Sequence, residues 1–262
     1  MSQPTRKKIE LNGIAVAEAI VGEGQPLLML HGWGANIDLV WPLAERLAPL
    51  GYQVYALDLP GFGESDEPPA AWSVFDYANF AIDYLDHHGL GSVFLFGHSF
   101  GGRLSLILGA EQSHRIKKIV LADSAGIVTK APLGKRLRLN TYKSIRDGLY
   151  KVGAKGTADQ LRAAYNAKYG SSDLQSTSGV MRETFINVVN QDLQDYAKRI
   201  QPSTLLIWGD QDEDTPLSYA KTFEKLIPDA GLIVHEGAGH YSYLDRLPET
   251  VRIMDYFFKA DE

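Results

Sequence analysis

A series of short apolar runs, each bounded by turn residues, most strongly restricts how this chain can fold. The runs are 27–30, 54–57, 93–96, 119–121, 205–208 and 232–234. Runs this short and this apolar are typical of strands buried on both faces of a sheet. Helix-compatible stretches lie between most of them, for example 41–50, 75–88 and 99–111. This alternation predicts an α/β protein whose parallel sheet carries helices on both faces.

An antiparallel hairpin is predicted ahead of these strands. Segments 7–11 and 14–20 show an alternating pattern around Asn12 and Gly13. Asparagine followed by glycine tolerates the positive φ angles of a two-residue hairpin turn. We therefore expect two antiparallel strands near the start of the chain.

The motif Gly97-His98-Ser99-Phe100-Gly101 lies between the apolar run 93–96 and a helix-compatible stretch. In a strand-to-helix turn of this form the serine is held in a strained conformation, and the glycines let neighbouring backbone approach closely. Backbone N–H groups at the start of a helix also stabilise the negative charge of an acyl-transfer intermediate. The context predicts Ser99 as a nucleophile and the amide of Phe100 as an oxyanion donor. The alternative is a glycine-rich turn that enters a packed helix.

A serine nucleophile needs a general base and a carboxylate that orients the base. His240 is the best placed histidine, because it ends a glycine-rich loop directly after the strand predicted at 232–234. The acid is expected in the loop 209–216: Asp212 is the first choice and Asp210 the second, while Asp123, after the strand at 119–121, is a third. The order serine, acid, histidine is the one expected on such a sheet. The acidic loop lacks the ligand spacing of a calcium loop, so no metal is expected.

The second oxyanion donor is expected after the strand at 27–30, where residues 31–34 read His-Gly-Trp-Gly. The glycines allow the backbone to turn an N–H group inward, and the amide of Trp33 is the predicted donor. The indole of Trp33 is also expected in the wall of a substrate pocket, together with Tyr241 and Tyr243. For each of these rings, ordinary packing is the alternative.

Composition excludes several other functions. The formal net charge is −6 and the two signs are interspersed, so a nucleic acid or an anionic membrane surface is not an expected partner. The chain has no cysteine, which excludes disulfides, thiolate catalysis and cysteine-bound metals. No apolar run reaches the roughly 18 residues of a membrane span, and the N-terminus lacks an apolar signal stretch. We expect a cytoplasmic protein that acts on a small molecule; protein partners stay unknown.

The alternation of strands and helices stops between residues 124 and 199, where helical patterns dominate. We interpret 124–199 as an inserted helical cap, and 1–123 together with 200–262 as the core. Segment 151–178 is either a mobile joint within the cap or surface loop and helix. Basic residues that cluster in this region are interpreted as a solvated helix face. They are Lys130, Lys135, Arg136 and Arg138.

Several of these motifs, taken together, resemble those of the α/β-hydrolase fold superfamily. They are the segments 31–34, 58–65, 97–101, 209–216 and 239–240. The resemblance implies an eight-stranded, mostly parallel sheet and no cofactor. It also implies that Ser99 attacks, His240 takes and returns the proton, and Asp212 orients His240. The amides of Trp33 and Phe100 would form the oxyanion hole.

Differences between this sequence and particular subfamilies of the fold narrow the range of expected activities. Haloalkane dehalogenases and epoxide hydrolases of this fold use aspartate where Ser99 stands, so both are disfavoured. Carbon–carbon bond hydrolases of ring-cleavage products commonly carry asparagine in place of His98 and tryptophan in place of Tyr241. His98 occupies a variable position and is expected to need no catalytic role.

The loop 31–34 resembles that of carboxylesterases that act on small esters. A serine carboxylesterase that acts on a small-molecule ester is therefore the leading hypothesis. The alternatives are a carbon–carbon bond hydrolase and a hydrolase-fold signalling or receptor protein with slow turnover.

Overall fold

The computed structural model of the protein describes residues 4–129, 133–169 and 172–260. Part of the predicted basic cluster lies outside the described residues, namely Lys130 and the side chains of Lys135 and Arg136. Its fourth member, Arg138, is exposed, and its guanidinium lies 3.9 Å from the ring centroid of Tyr169. This one described member therefore agrees with a solvated helix face.

The described residues form one eight-stranded sheet in the order β1-β2-β4-β3-β5-β6-β7-β8. The strands are β1 (Lys7–Leu11), β2 (Ile14–Val21), β3 (Gln25–Leu30), β4 (Tyr52–Leu57), β5 (Val93–His98), β6 (Ile116–Ala122), β7 (Ser203–Gly209) and β8 (Ala230–His235). Strand β2 pairs antiparallel with β1 and β4, and all other neighbours are parallel. The predicted α/β fold with a mostly parallel sheet is confirmed.

The predicted hairpin joins β1 to β2. Asn12 and Gly13 form its turn with φ angles of 53° and 76°, and Leu11 pairs directly with Ile14. A two-residue turn with both φ angles positive matches the twist of the flanking strands. The asparagine–glycine pair therefore sets the register of the antiparallel edge.

Helices cover both faces of the sheet. The helices of the described residues are α1 (Ile37–Leu47), α2 (Val74–His87), α3 (Phe100–Glu111), α4 (Leu133–Lys151), α5 (Lys155–Tyr169), α6 (Ser172–Ser176), α7 (Gly179–Asn190), α8 (Gln194–Ala197), α9 (Leu217–Leu226), α10 (Ser242–Asp245) and α11 (Leu247–Lys259). Successive strand residues enter opposite cores: in β3, Leu28 and Leu30 pack in the core under α2, α3 and α9, whereas Leu27 and Met29 pack in the core under α1 and α11. Burial on both faces explains the continuous apolar runs.

Helices α4 to α8 connect β6 to its neighbour β7. Segment 151–178 was predicted to be either a mobile joint or surface loop and helix. It contains the helices α5 and α6. That 124–199 forms a separate cap stays a prediction. In the described part of the chain, no helix is both long and apolar enough to cross a membrane.

Candidate active site

Ser99 occupies the turn between β5 and α3. Its φ of 48° and ψ of −105° are strained for a residue with a side chain. The end of the neighbouring strand holds this turn, because the N–H of Ser99 donates to the carbonyl of Ala122 at 3.1 Å and its own carbonyl accepts from the N–H of Ala125 at 3.1 Å. Backbone strain of this kind persists only where surrounding contacts fix it, and it clusters at functional sites.

Glycines around Ser99 allow α3 to lie directly against the strand ends. A Cβ atom added to Gly101 would lie 2.1 Å from the carbonyl oxygen of Leu30, and one added to Gly97 would lie 2.3 Å from Oγ of Ser105. Backbone cannot yield as a flexible side chain does, so a residue larger than glycine at 101 would push the helix away from β3. The glycines of the motif thus place Ser99 above the sheet.

His240 and Asp212 come together from loops after β8 and β7. His240 Nδ1 lies 2.9 Å from Asp212 Oδ2, and the carboxylate is fully buried. The other Asp212 oxygen accepts the backbone N–H groups of Asp214 at 2.8 Å and Thr215 at 2.9 Å. The hydroxyl of Thr215 lies 2.7 Å from Oδ2. These bonds hold the carboxylate against the imidazole in one orientation.

The charges of this pair stabilise each other. Burial acts to lower the pKa of His240, but the hydrogen bond and the charge of Asp212 outweigh it and raise that pKa above its ordinary value. Burial likewise acts to raise the pKa of Asp212, and hydrogen bonds from His240 and Thr215 lower it overall. Asp212 is therefore ionised, and its bond to Nδ1 places the imidazole proton there. Nε2 of the neutral ring is left to accept a proton.

A cavity of about 490 Å³ lies above the sheet, lined by four of the predicted site residues. They are Ser99, His240, Trp33 and Phe100. Asp212 is behind His240 and outside the lining. Apolar residues from the region 124–199 form much of the remaining wall, including Phe185, Val188 and Val189. The region 124–199 thus borders the space in which a substrate would meet Ser99.

The loop 31–34 lies beside the nucleophile turn. A Cβ atom added to Gly32 would lie 3.4 Å from Cβ of Ser99, so glycine is needed for this approach. Within the described residues, the backbone N–H groups of Trp33 and Phe100 donate no hydrogen bond. Free N–H groups beside a nucleophile can stabilise an oxyanion. The geometry agrees with the predicted pair of donors.

Two buried polar side chains, those of His31 and Asp58, hold the loop 31–34 in place. The N–H of Leu59 donates to His31 Nε2 at 3.0 Å. Asp58 accepts the N–H groups of Ile37 at 2.7 Å and Glu64 at 2.8 Å. The motif 58–65 therefore acts as a support: it joins the loop 31–34 to the start of α1.

Asp212 is the sole member of the three predicted acids with a hydrogen bond to His240 in the described part of the chain. Asp210 is exposed and accepts the N–H of Gly237 at 2.7 Å. Asp123 is buried and accepts from the N–H of Gly209 at 2.9 Å and from the hydroxyl of Ser242 at 2.6 Å. Burial raises the pKa of Asp123 to about 7. Asp123 thus ties the loop of His240 to β7.

Among the described residues, one cluster has donor atoms close enough for a metal ion. Atoms of Asp212, Asp214 and His240 lie within 4.8 Å of one another. Hydrogen bonds already engage both oxygens of Asp212 and Nδ1 of His240. A metal would have to displace these bonds, so the arrangement fits an acid–base pair and not a metal site.

The expectation for Tyr243 was wrong, whereas Tyr241 and Trp33 do line the cavity. Tyr243 is fully buried in the core under α1, with its ring 5.3 Å from that of Phe96. Its hydroxyl donates to the carbonyl of Leu39 at 3.1 Å. The short helix α10 begins at residue 242, so Tyr243 faces the core instead of the cavity.

His98 was expected to need no catalytic role, yet it contacts the backbone of His240. The side chain of His98 is buried, and its Nε2 donates to the carbonyl oxygen of His240 at 2.8 Å. Burial, assisted by the nearby His240, lowers the pKa of His98 to about 3, so the ring is neutral. His98 therefore positions the loop that carries His240. The motif gave no signal of this contact, because 142 residues separate the two histidines.

Replacing His98 by leucine is expected to lower kcat/KM about tenfold, because the carbonyl of His240 loses a buried donor worth about 1.4 kcal/mol. Steady-state hydrolysis of p-nitrophenyl acetate measures this effect, and circular dichroism checks the fold. His114→Leu serves as the control, since His114 is exposed on the surface. An unchanged kcat/KM in a folded His98→Leu protein would contradict the positioning role.

Comparison with known proteins identifies the family. The profile described as alpha/beta hydrolase fold matches residues 25–176, more than half of the chain. Lipase 1 of Psychrobacter immobilis is 29% identical over 249 residues, which cover 87% of this chain and 74% of the lipase. The 2-hydroxy-6-oxo-6-(2'-aminophenyl)hexa-2,4-dienoic acid hydrolase of Metapseudomonas resinovorans is 24% identical over 247 residues, which cover 90% of this chain and 85% of that hydrolase.

A solved structure has the same fold. The esterase EaEST from Exiguobacterium antarcticum gives a TM-score of 0.74 at 23% identity, and the match covers 97% of this chain and 99% of the esterase. The strand order, the strained turn at Ser99 and the matching profile agree with one another. The chain belongs to the α/β hydrolase fold family.

Proposed function

We propose that the protein is a serine hydrolase that cleaves carboxylic esters through an acyl-enzyme intermediate. The observation that carries this proposal is the 2.9 Å hydrogen bond between His240 and the buried Asp212, at the edge of a cavity that Ser99 also lines. An oriented imidazole beside a serine in a strained turn is the arrangement that activates a hydroxyl for attack.

In the first half of the reaction, Ser99 Oγ bonds to the ester carbonyl carbon while His240 Nε2 takes the hydroxyl proton. The N–H groups of Trp33 and Phe100 stabilise the resulting oxyanion. The intermediate collapses as the bond to the alcohol oxygen breaks, and His240 donates its proton to that oxygen. The alcohol leaves, and the acyl group stays on Ser99.

In the second half, a water molecule replaces the alcohol. His240 takes a proton from this water as its oxygen bonds to the acyl carbon, and the same two N–H groups stabilise the new oxyanion. Collapse breaks the bond to Ser99, and His240 returns the proton to Ser99 Oγ. The products are the carboxylic acid and the regenerated enzyme. Throughout, ionised Asp212 keeps the imidazole oriented and stabilises its charged form.

A second activity on the same site is cleavage of a carbon–carbon bond in a ring-fission product. The relative from Metapseudomonas resinovorans, whose name denotes a dienoic acid hydrolase, supports this alternative. His98 and Tyr241 stand where such enzymes commonly carry asparagine and tryptophan, which favours the ester. The 29% identical lipase from Psychrobacter immobilis supports the ester as well.

A chain-length series of p-nitrophenyl esters, run beside a coloured ring-fission dienoate, tests the proposed activity. We expect repeated turnover of short-chain esters, and covalent labelling of Ser99 by a fluorophosphonate that peptide mass spectrometry locates. Ser113→Ala, a change in a surface turn, is the control and should be labelled like the wild type. Turnover of the dienoate alone would transfer the assignment to carbon–carbon cleavage, and a single slow turnover with retained product would favour a receptor.

A further inference from the structure

A buried arginine lies in the cavity beside the nucleophile. Arg103 is one turn beyond Ser99 in α3, and its N–H donates to the carbonyl of Ser99 at 3.3 Å. Its side chain lines the same cavity as Ser99 and His240, and the residue is only 6% exposed. A fixed cation is therefore part of the wall that faces the substrate.

In the described part of the chain, Arg103 forms no ion pair with a carboxylate within 4.0 Å. Nη1 of Arg103 donates to the carbonyl of Gln191 at 2.8 Å, at the end of α7. Against the larger effect of burial, the charge of Asp192 acts to raise the pKa of Arg103, but its carboxylate lies beyond ion-pair distance and accepts from Gln194. Among the described contacts, Nη1 is the one guanidinium nitrogen with a hydrogen bond, and the cation has no direct ionic partner.

A second acidic residue near the cavity, Asp214, forms no ion pair with Arg103 among the described contacts either. Asp214 also lines the cavity, but it is exposed, and its charge acts on His240. Much of the wall beside Arg103 is apolar, with Phe185, Val188 and Val189 from α7. A largely apolar cavity with a few convergent polar groups is the usual form of a site that orients a ligand.

A buried guanidinium without a direct ion pair is costly, and a bound anion would supply that pair. Burial lowers the pKa of Arg103 to about 10, so the group is still charged at neutral pH. Taking a charge out of water is unfavourable unless an opposite charge and hydrogen bonds compensate it. The planar fork of arginine matches a carboxylate with two parallel hydrogen bonds. A carboxylate in the cavity would supply both the charge and the acceptors.

We propose that Arg103 binds a carboxylate group of the substrate, so that the enzyme prefers esters that carry a free carboxylate. This inference rests on the proposed ester hydrolysis, because it names the substrate class of the same site. The carboxylate belongs either to the acyl part, as in a half-ester of a dicarboxylic acid, or to the alcohol part, as in an ester of a hydroxy acid. Both sources present the same chemistry to Arg103.

Matched pairs of esters distinguish the two sources. Monomethyl glutarate against methyl pentanoate tests a carboxylate on the acyl side, and 4-acetoxybutyrate against butyl acetate tests one on the alcohol side. We expect the wild type to prefer the charged member of one pair by at least about tenfold in kcat/KM, the size of a charge-assisted hydrogen bond. Arg103→Met should lower that preference about 10- to 100-fold, and Arg103→Lys should retain part of it.

The preference is the ratio of two kcat/KM values measured with one protein preparation. A fraction of unfolded protein lowers both values by the same factor and therefore does not change the ratio. Arg252→Met is the matched control, because Arg252 is exposed on α11, and its ratios should equal those of the wild type. Equal ratios in the wild type and Arg103→Met for both pairs would overturn the proposal. So would a preference of the wild type for the neutral member of both pairs.

A binding measurement separates this inference from the proposed activity. Calorimetric titration of glutarate into Ser99→Ala requires no turnover, and we expect the Kd to rise about tenfold or more in the double variant Ser99→Ala/Arg103→Met. Equal affinities for the two proteins would count against the carboxylate site even if esters are hydrolysed. Arg103-dependent binding without hydrolysis of any ester would retain the site and reject the esterase.

Discussion

Replacing Ser99 by alanine is expected to lower kcat for p-nitrophenyl acetate by about 10⁵- to 10⁶-fold, the loss typical of removing a serine nucleophile that acts together with its base. The hydroxyl of Thr215, which also lines the cavity, does not replace that of Ser99, because it is bonded to the carbonyl of Asp123 and the carboxylate of Asp212 and lies on the Nδ1 side of His240. Any remaining rate above that of water would come from binding and from the N–H groups of Trp33 and Phe100. Single-turnover and steady-state kinetics measure the loss.

The same variant should keep its fold. Alanine has the Cβ atom of serine, so the strain at φ 48° is unchanged, and no cap hydrogen bond from the Ser99 side chain to α3 is lost. We expect the free energy of unfolding to stay within about 0.5 kcal/mol of the wild type, as for substitutions that break no buried contact. A well-folded Ser99→Ala protein with near wild-type turnover would refute the assignment of the nucleophile.

Most of the sheet was predictable because a strand buried on both faces needs a continuous apolar run, which is visible in the sequence. Strands such as β3 and β5 are continuous apolar runs, and turn residues end each of them. Helices α2 and α3 lie within one residue of their predicted bounds, but α1 does not. Helix α1 begins at Ile37, four residues before its predicted start, because the side chain of Asn36 accepts the N–H of Asp38 at 2.9 Å.

The site residues that directly follow a strand could be predicted from the sequence. Ser99 and His240 lie in glycine-rich segments directly after strands, so sequence alone located both. The choice among the acids depends on contacts between distant loops: Asp123 and Asp212 both lie near His240, and the hydrogen bond goes to Asp212. Arg103 lies in an ordinary helix position, and its place in the cavity wall beside Ser99 is visible only in three dimensions.

Replacing Asp212 by asparagine is expected to lower kcat about 10⁴-fold, because the imidazole loses the carboxylate that sets its tautomer. An asparagine side chain has a single acceptor oxygen, whereas the carboxylate accepts from Asp214 and Thr215 on one oxygen and from His240 on the other. Asp210→Asn is the matched control: Asp210 is exposed in the same loop and bonds to Gly237 instead, so its kcat should stay near that of the wild type.

The pH profile provides an independent test of the same pair. His240 accepts the serine proton only in its neutral form, which is lost as pH falls through the pKa of its imidazole. Because Asp212 raises that pKa, the acid limb of kcat/KM should lie above the ordinary histidine value of 6.5. Burial still lowers this pKa in Asp212→Asn, while the hydrogen bond and the charge that raise it most are removed, so the acid limb of the variant should move to lower pH. An acid limb that stays in place would mean that Asp212 does not act on His240.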